Sequence, residues 1–288
     1  MEEVKKKSMH YFEFQPRHLN NPTRVAIDWS KKDVLDVAKI RIKKNFYYIS
    51  VIAGYPGTGK STLARTDAAY VDPNFHLGRI CFEAHGKDGF IEVSNKIPEE
   101  SAIVLDESFK AFNARGQATR DFQDILNHLQ LLRQRRLYIF LCIPNWYNLS
   151  MTISLELSSH LFYTYATRLG VRGKFLAFGR DTKRRLWVKG KRFMNYSAEK
   201  CDFIGRFYSN RDKIVDEAEY NKRKLQHLKD QAEKREEGPL NNRNHMINKL
   251  NIQEGWKTGK IAEFFNLKPH TITDILRPFK KIVESVDV

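Results

Sequence analysis

The eight residues Gly54, Tyr55, Pro56, Gly57, Thr58, Gly59, Lys60 and Ser61 fill the pattern Gly-x-x-x-x-Gly-Lys-[Ser/Thr], and few local sequences restrict a fold so tightly. Glycines at these positions permit positive φ and let successive backbone N–H groups converge on one phosphate. Convergence requires a strand leading into the loop and a helix leaving it, and both flanks comply. Phe46 to Ala53 is a β-branched and aromatic run long enough for a buried parallel strand. Ser61 to Ala69 contains no breaker and predicts a helix, with Thr62 in its first turn where the helix dipole adds to the pull on an anion. The pattern predicts a nucleoside triphosphate site: the loop backbone around phosphate, Lys60 on the β/γ oxygens, and the Ser61 hydroxyl on Mg²⁺. ATP and Mg²⁺ are the expected cofactors.

Such a site needs a carboxylate at the end of a neighbouring buried strand. Ala102-Ile-Val-Leu-Asp-Glu107, about 45 residues beyond the loop, supplies one. Asp106 is expected to hold Mg²⁺ through its water shell and Glu107 to act as the base that orients water. Two solvated acids after an ordinary strand are the plainer alternative. A further strand, Leu137 to Ile143, ends in Pro144 and Asn145. Asn145 then falls where ligands meet α/β sheets and is a candidate sensor of the γ-phosphate, or simply a turn former. Between these strands Phe122, Ile125, Leu126, Leu129 and Leu132 recur at helical spacing, and the run Arg133-Gln-Arg-Arg136 follows. Arg133 is the candidate arginine finger; pairing with a helix C-terminus or DNA contact are the other uses of such a run.

The 288 residues carry 50 Lys+Arg against 34 Asp+Glu, a formal charge of +16 that favours phosphate-rich partners. Between Arg168 and Arg192 ten basic residues accompany one acid, Asp181. Phe175 to Phe178 and Leu186 to Val188 flank Gly-Arg-Asp-Thr-Lys-Arg-Arg and predict a β-hairpin whose tip, Lys183, Arg184 and Arg185, touches DNA or guards a solvated edge. Three scattered cysteines exclude a disulfide framework and a zinc ribbon and imply a reducing compartment. With no apolar run of membrane-spanning length and no signal-peptide core, the chain is expected to be cytoplasmic, in a host cell if viral, without a membrane span.

The expected domains are 1–209, a nucleotide-binding domain with the basic hairpin; 210–240, a charged helical connector broken by the Gly/Pro/Asn stretch Gly238 to Asn244; and 241–288. In the last, Thr258 to Arg277 resembles a helix-turn-helix. Ala262 suits a helix crossing, Asn266 a turn needing the left-handed region, and Ile261, Phe265, Leu267, Ile272 and Ile275 the core. A second helix from about Pro269 would present His270, Thr271, Thr273 and Arg277 to a major groove, or to a protein partner.

Taken together, the phosphate loop, the strand ending in Asp-Glu and the strand ending in Pro-Asn are similar to the RecA/FtsK-HerA branch of P-loop ATPases. They resemble in particular the compact ATPases of archaeal viruses and plasmids, several of which are DNA motors or packaging enzymes. The resemblance spans about Phe46 to Arg192, and Pro144 to Leu149 departs from the Gln-containing strand end common in that branch. It implies an α/β, RecA-like, mostly parallel sheet followed by a small all-α domain, Mg·ATP hydrolysis, and a homo-oligomer or ring with an arginine finger in trans. The function expected is an ATP-driven translocase or packaging motor on double-stranded DNA. A DNA-binding switch or replication initiator with slow turnover is the alternative, and a small-molecule kinase explains the loop but not the C-terminal motif.

Overall fold

The computed structural model describes residues 9–83, 88–106, 127–129, 132–210, 212–236, 239–252 and 254–284. Glu107 and most of the helix expected over Phe122 to Leu132 lie outside those residues. The chain divides into two compact units, Met1–Asn221 and Lys222–Val288.

In the first unit β1 (Met9–Phe14) and β2 (Thr23–Asp28) pair antiparallel, and α1 (Trp29–Lys43) follows directly. Asp28 starts that helix by accepting from the amides of Ser30 at 3.0 Å and Lys31 at 3.3 Å. Then come β3 (Tyr48–Ala53), α2 (Lys60–Val71), β4 (Ile80–Cys81), α3 (Phe90–Lys96), β5 (Ala102–Leu105) and β6 (Tyr138–Ile143). The unit continues with β7 (His160–Tyr165), β8 (Lys174–Phe178), α4 (Arg180–Gly190) and β9 (Phe203–Arg206). Seven strands form one sheet in the order β4-β5-β6-β3-β7-β8-β9. The first five in that order run parallel, and β8 and β9 close the edge antiparallel. The fold is mixed α/β with a mostly parallel central sheet.

Every residue of β3, β5 and β6 is buried, as strands covered on both faces must be. Alternation sorts them to opposite sides. Ile49, Val51, Ile139 and Leu141 pack with Phe90, Trp146, Leu186 and Trp187. Tyr48, Ile52, Phe140 and Cys142 pack with Leu35 and Ile42 of α1 and with Leu63, Ala64 and Ala68 of α2. The phosphate-loop strand β3 thus sits mid-sheet between β6 and β7, with β6 separating it from β5.

Two expectations are corrected here. The segment after Phe178 is a helix, not the return strand of a hairpin. Lys183, Leu186, Trp187 and Gly190 are its buried residues, a spacing of three, one and three that suits a helix face and no strand. β8 pairs antiparallel with β7 on one side and, in place of the expected return strand, with β9 on the other, Lys174 opposite Arg206. The boundary at 209 also moves. Asn210 is buried, its side-chain nitrogen donating to Ala26 O at 3.1 Å and Thr66 Oγ1 at 3.0 Å, and Ile214, Val215 and Tyr220 belong to the same core as α1 and α2.

Helix α5 (Glu217–Glu236), started by Asp216 accepting from the amides of Ala218 and Glu219 at 2.9 and 3.0 Å, opens in the first unit and continues into the second. The second unit adds α6 (Pro239–Ile252), α7 (Thr258–Phe264) and α8 (Pro269–Glu284). Residues 239–244, expected as a break, are therefore helical; Pro239 occupies the first helical position, where its missing N–H costs nothing. Ile247, Ile261, Ala262, Ile272 and Leu276 form this unit's buried core, with Phe265, Leu267 and Ile275 half-buried around it. Asn266 turns the chain between α7 and α8 at φ 51°.

Candidate nucleotide-binding site

Between β3 and α2 the backbone takes the left-handed region at Gly54 (φ 153°), Gly57 (φ 79°) and Gly59 (φ 95°). Side chains strain there, and two of the glycines also lack room for one. A Cβ on Gly54 would meet Thr164 O at 2.3 Å, and one on Gly59 the Phe207 ring at 2.7 Å. Thr58 is held from behind: its hydroxyl donates to Tyr55 O at 2.8 Å and lies 2.8 Å from that of Thr164 on β7, which itself donates to Ala53 O at 3.2 Å. No side chain caps α2, so its first amides face the loop. Lys60 Nζ donates to Gly54 O at 2.9 Å and Tyr55 O at 3.0 Å, so the ammonium lies inside the loop's own curve. Tyr55, Pro56 and Gly57 are exposed at the rim, and Thr62 follows within the first turn of α2.

The carboxylate arrives from β5. Asp106 is 1% exposed, its amide donates to Cys81 O at 2.8 Å, and its Oδ1 accepts from Ser61 Oγ at 2.9 Å. The two residues expected to serve a metal are thus in contact although 45 positions apart. Its Oδ2 accepts from Tyr220, in the first turn of α5. Burial foremost, then the neighbouring Asp106 charge, raises the Tyr220 phenol above its ordinary range and keeps it a donor.

Other expected site residues are placed differently. Asn145 does stand at the carboxyl end of β6, but its Oδ1 accepts from Tyr147 N at 3.0 Å and Tyr196 Oη at 3.1 Å, the work of a turn cap. The Arg133 backbone lies in a single 3₁₀ turn, Leu132–Arg135, and its side chain lies outside the described residues. Arg135 donates to Asn95 O at 2.6 Å and to Ile97 O at the end of α3, and Arg136 pairs with Glu99. These are the helix-terminus and surface uses of the basic run.

Lys183, expected at an exposed tip, is fully buried, its amine donating to Ser158 O and, at 2.6 Å, to Ser158 Oγ. It cannot touch DNA from there. Arg184 is exposed, and Arg185 and Lys189 share Glu199 at 2.9 and 2.6 Å. In the second unit His270, Thr273 and Arg277 are exposed and Thr271 is half-buried; Arg277 lies 3.4 Å from Asp274.

Several site residues escaped the motif reading. Thr164, Phe207 and Tyr220 stand 106 to 148 positions from the loop residues or carboxylate they touch (Thr58 to Thr164, 106; Asp106 to Tyr220, 114; Gly59 to Phe207, 148), and no local pattern announces them. Arg172 is another: its guanidinium lies 3.8 Å from where a Cβ on Gly57 would stand. The one local signal is a lone tyrosine within the acidic start of α5, Asp216-Glu-Ala-Glu-Tyr220.

Among the described residues no helix is long and apolar enough to cross a membrane. No family model matches the sequence, and no curated protein matches it. Among solved structures it is similar to the N-terminal domain of zonular occludens toxin from Neisseria meningitidis, at 16% identity and a TM-score of 0.39, over 57% of this chain and 95% of that one.

Proposed function

We propose that this chain binds and hydrolyses Mg·ATP and spends the turnover on moving or packaging double-stranded DNA. The observation that carries the nucleotide half is the meeting of Ser61 and Asp106 at 2.9 Å beside a phosphate loop of three positive-φ glycines and Lys60. The donor set fits a hard cation, which takes oxygen ligands and keeps several waters. Ser61 and Asp106 would hold Mg²⁺, and the metal when bound neutralises charge across the β- and γ-phosphates. Lys60 would exchange the Gly54 and Tyr55 carbonyls for phosphate oxygens. The loop amides and the uncapped start of α2 bind and orient the phosphates. Glu107, next after Asp106 at the carboxyl end of β5, is the proposed base that orients water, and Arg133 the proposed finger of a neighbouring subunit in a homo-oligomer.

The DNA half is supported by the charge of +16 and by the exposed His270, Thr273 and Arg277 on α8, which is the proposed recognition helix of a helix-turn-helix. Arg184 remains a proposed phosphate contact on α4.

The test measures ATP hydrolysis with and without duplex DNA, and with Lys60→Ala alongside. Hydrogen bonds to charged groups contribute about 1.5–3 kcal/mol, so the variant is expected to lose about tenfold to a hundredfold in ATP affinity or turnover while its melting curve stays in place. A folded variant with wild-type binding and turnover would exclude the phosphate-loop site. Hydrolysis stimulated by duplex of any sequence supports the motor; site-specific binding without stimulation would replace it with an ATP-regulated switch.

A further inference from the structure

Asp106 is buried among Cys81, Leu105 and their neighbours, and a carboxylate taken out of water needs donors for both oxygens. Ser61 serves one oxygen and Tyr220 the other. These two donors are neutral hydroxyls, and their bonds fix the carboxylate's direction. The tyrosine is itself aimed. Arg65, one turn after Ser61, donates from Nε to Ser61 O at 3.2 Å and from Nη1 to Glu217 Oε2 at 2.7 Å, and its guanidinium lies 4.3 Å from the Tyr220 ring centre. Phe82 packs against the same ring at 5.8 Å between centres. The first turn of α5 is thereby pinned to α2, and its phenol is delivered to the acid end of β5.

A phenylalanine would fill the volume at 220 and keep both ring contacts. Packing alone gives no reason for a hydroxyl there, and burying one costs free energy unless it finds a partner. A partner it finds is the residue that the nucleotide reading assigns to the metal. Groups that hold a metal ligand from behind set its orientation, and removing them typically costs tenfold to a hundredfold in metal affinity.

We propose that Tyr220 is a positioning residue for the Mg²⁺ site: its hydroxyl holds the Asp106 carboxylate so that the oxygen beside Ser61 faces the metal's water shell. The proposal rests on the reading of the loop as a nucleotide site. It assigns a role in metal binding to the first turn of the helix that leaves the nucleotide-binding unit.

The test uses the full chain and Tyr220→Phe, which keeps the ring and removes only the hydroxyl. ATP binding is titrated by calorimetry without metal and then at a series of Mg²⁺ concentrations. The Mg²⁺ concentration giving half of the metal-dependent gain in affinity is expected to rise about tenfold. Metal-free affinity is expected to match wild type, which a packing role alone would not produce, while the melting temperature falls by the few degrees that one lost buried hydrogen bond costs. An unchanged Mg²⁺ midpoint in a folded variant overturns the role of Tyr220, as does a fall in metal-free affinity equal to the fall with metal. Failure of the wild-type chain to bind ATP under any condition would sink the nucleotide reading instead, and the two failures are told apart by the wild-type titration.

Discussion

The three phosphate-loop glycines are constrained from different directions. Gly54 backs onto Thr164 of β7, Gly59 onto the Phe207 ring, and Gly57 faces the Arg172 guanidinium. Phe207 also fixes Arg172: its amide donates to Gly173 O at 2.8 Å, and a Cβ on Gly173 would lie 2.5 Å from its carbonyl. One residue thus lines the loop and holds the turn that brings a cation to the loop's open side. Arg172→Ala is expected to weaken ATP binding several-fold, up to about tenfold, and AMP binding hardly at all, since charge-assisted bonds to phosphate are the interaction removed. Parallel titrations of the two nucleotides check this, and equal affinities for wild type and variant would detach Arg172 from the site. At this scale the sequence was informative wherever chemistry and spacing are local. Lys60, Ser61 and the acid after an apolar run announce themselves. Tyr220, Phe207 and Arg172 reach the site only through the fold, so their neighbours in sequence say nothing of phosphate or metal.

Among the elements, α4 separates pattern from composition. Its run of basic residues reads as a solvated tip, yet the helix's fourth residue, Lys183, points inward to Ser158. Burial first, then the charges of Arg180 and Arg184, bring its amine from 10.5 down to about 7. Between those two values the unfolded chain binds a proton that the folded chain does not. Stability therefore rises with pH across that window, and the cost of burying the charged form is present in full below it. Lys183→Met, which keeps most of the stem's length, is expected to flatten this rise and to stabilise the protein most on the acid side. Urea unfolding from pH 6 to pH 10 checks it; a slope unchanged by the substitution would mean that the amine remains charged in the fold. The buried strands β3, β5 and β6 were legible because an apolar run of that length has few other uses. The helix α4 was not read, since its face of Lys183, Leu186, Trp187 and Gly190 includes a lysine, which hydropathy assigns to solvent. The hairpin β1-β2 and helix α1 precede every motif and drew no expectation, although Asp28 followed by Leu35, Ala38 and Ile42 carries a cap and a helical face.

For the whole molecule, the division falls later than composition suggests. The highly charged stretch is expected from 210 onward, but Asn210, Ile214, Val215 and Tyr220 are buried in the first unit. A fragment ending at residue 236 is expected to keep the melting temperature of the nucleotide-binding unit and to bind Mg·ATP. One ending at 209 loses two buried aliphatic side chains, at about 1.5–3 kcal/mol each, together with the Asn210 bonds to Ala26 and Thr66. It is expected to be destabilised by several kcal/mol. Thermal unfolding of the two fragments decides; equal melting temperatures would return the boundary to 209.

The sheet order has a consequence for the protein as it is made. β3 leaves the ribosome with its phosphate loop long before either strand beside it, since Tyr48 pairs with Tyr138 of β6 and Ser50 with His160 of β7. Pairings so distant in sequence form slowly, and exposed strand edges invite association in the interval. The carboxylate then waits for a hydroxyl 114 residues further on. A nascent chain halted before Tyr220 emerges would carry the loop and both oxygen ligands yet lack the group that aligns them. On the proposed reading, full Mg²⁺ affinity therefore arrives late in synthesis, once the start of α5 has cleared the exit tunnel and the sheet is closed.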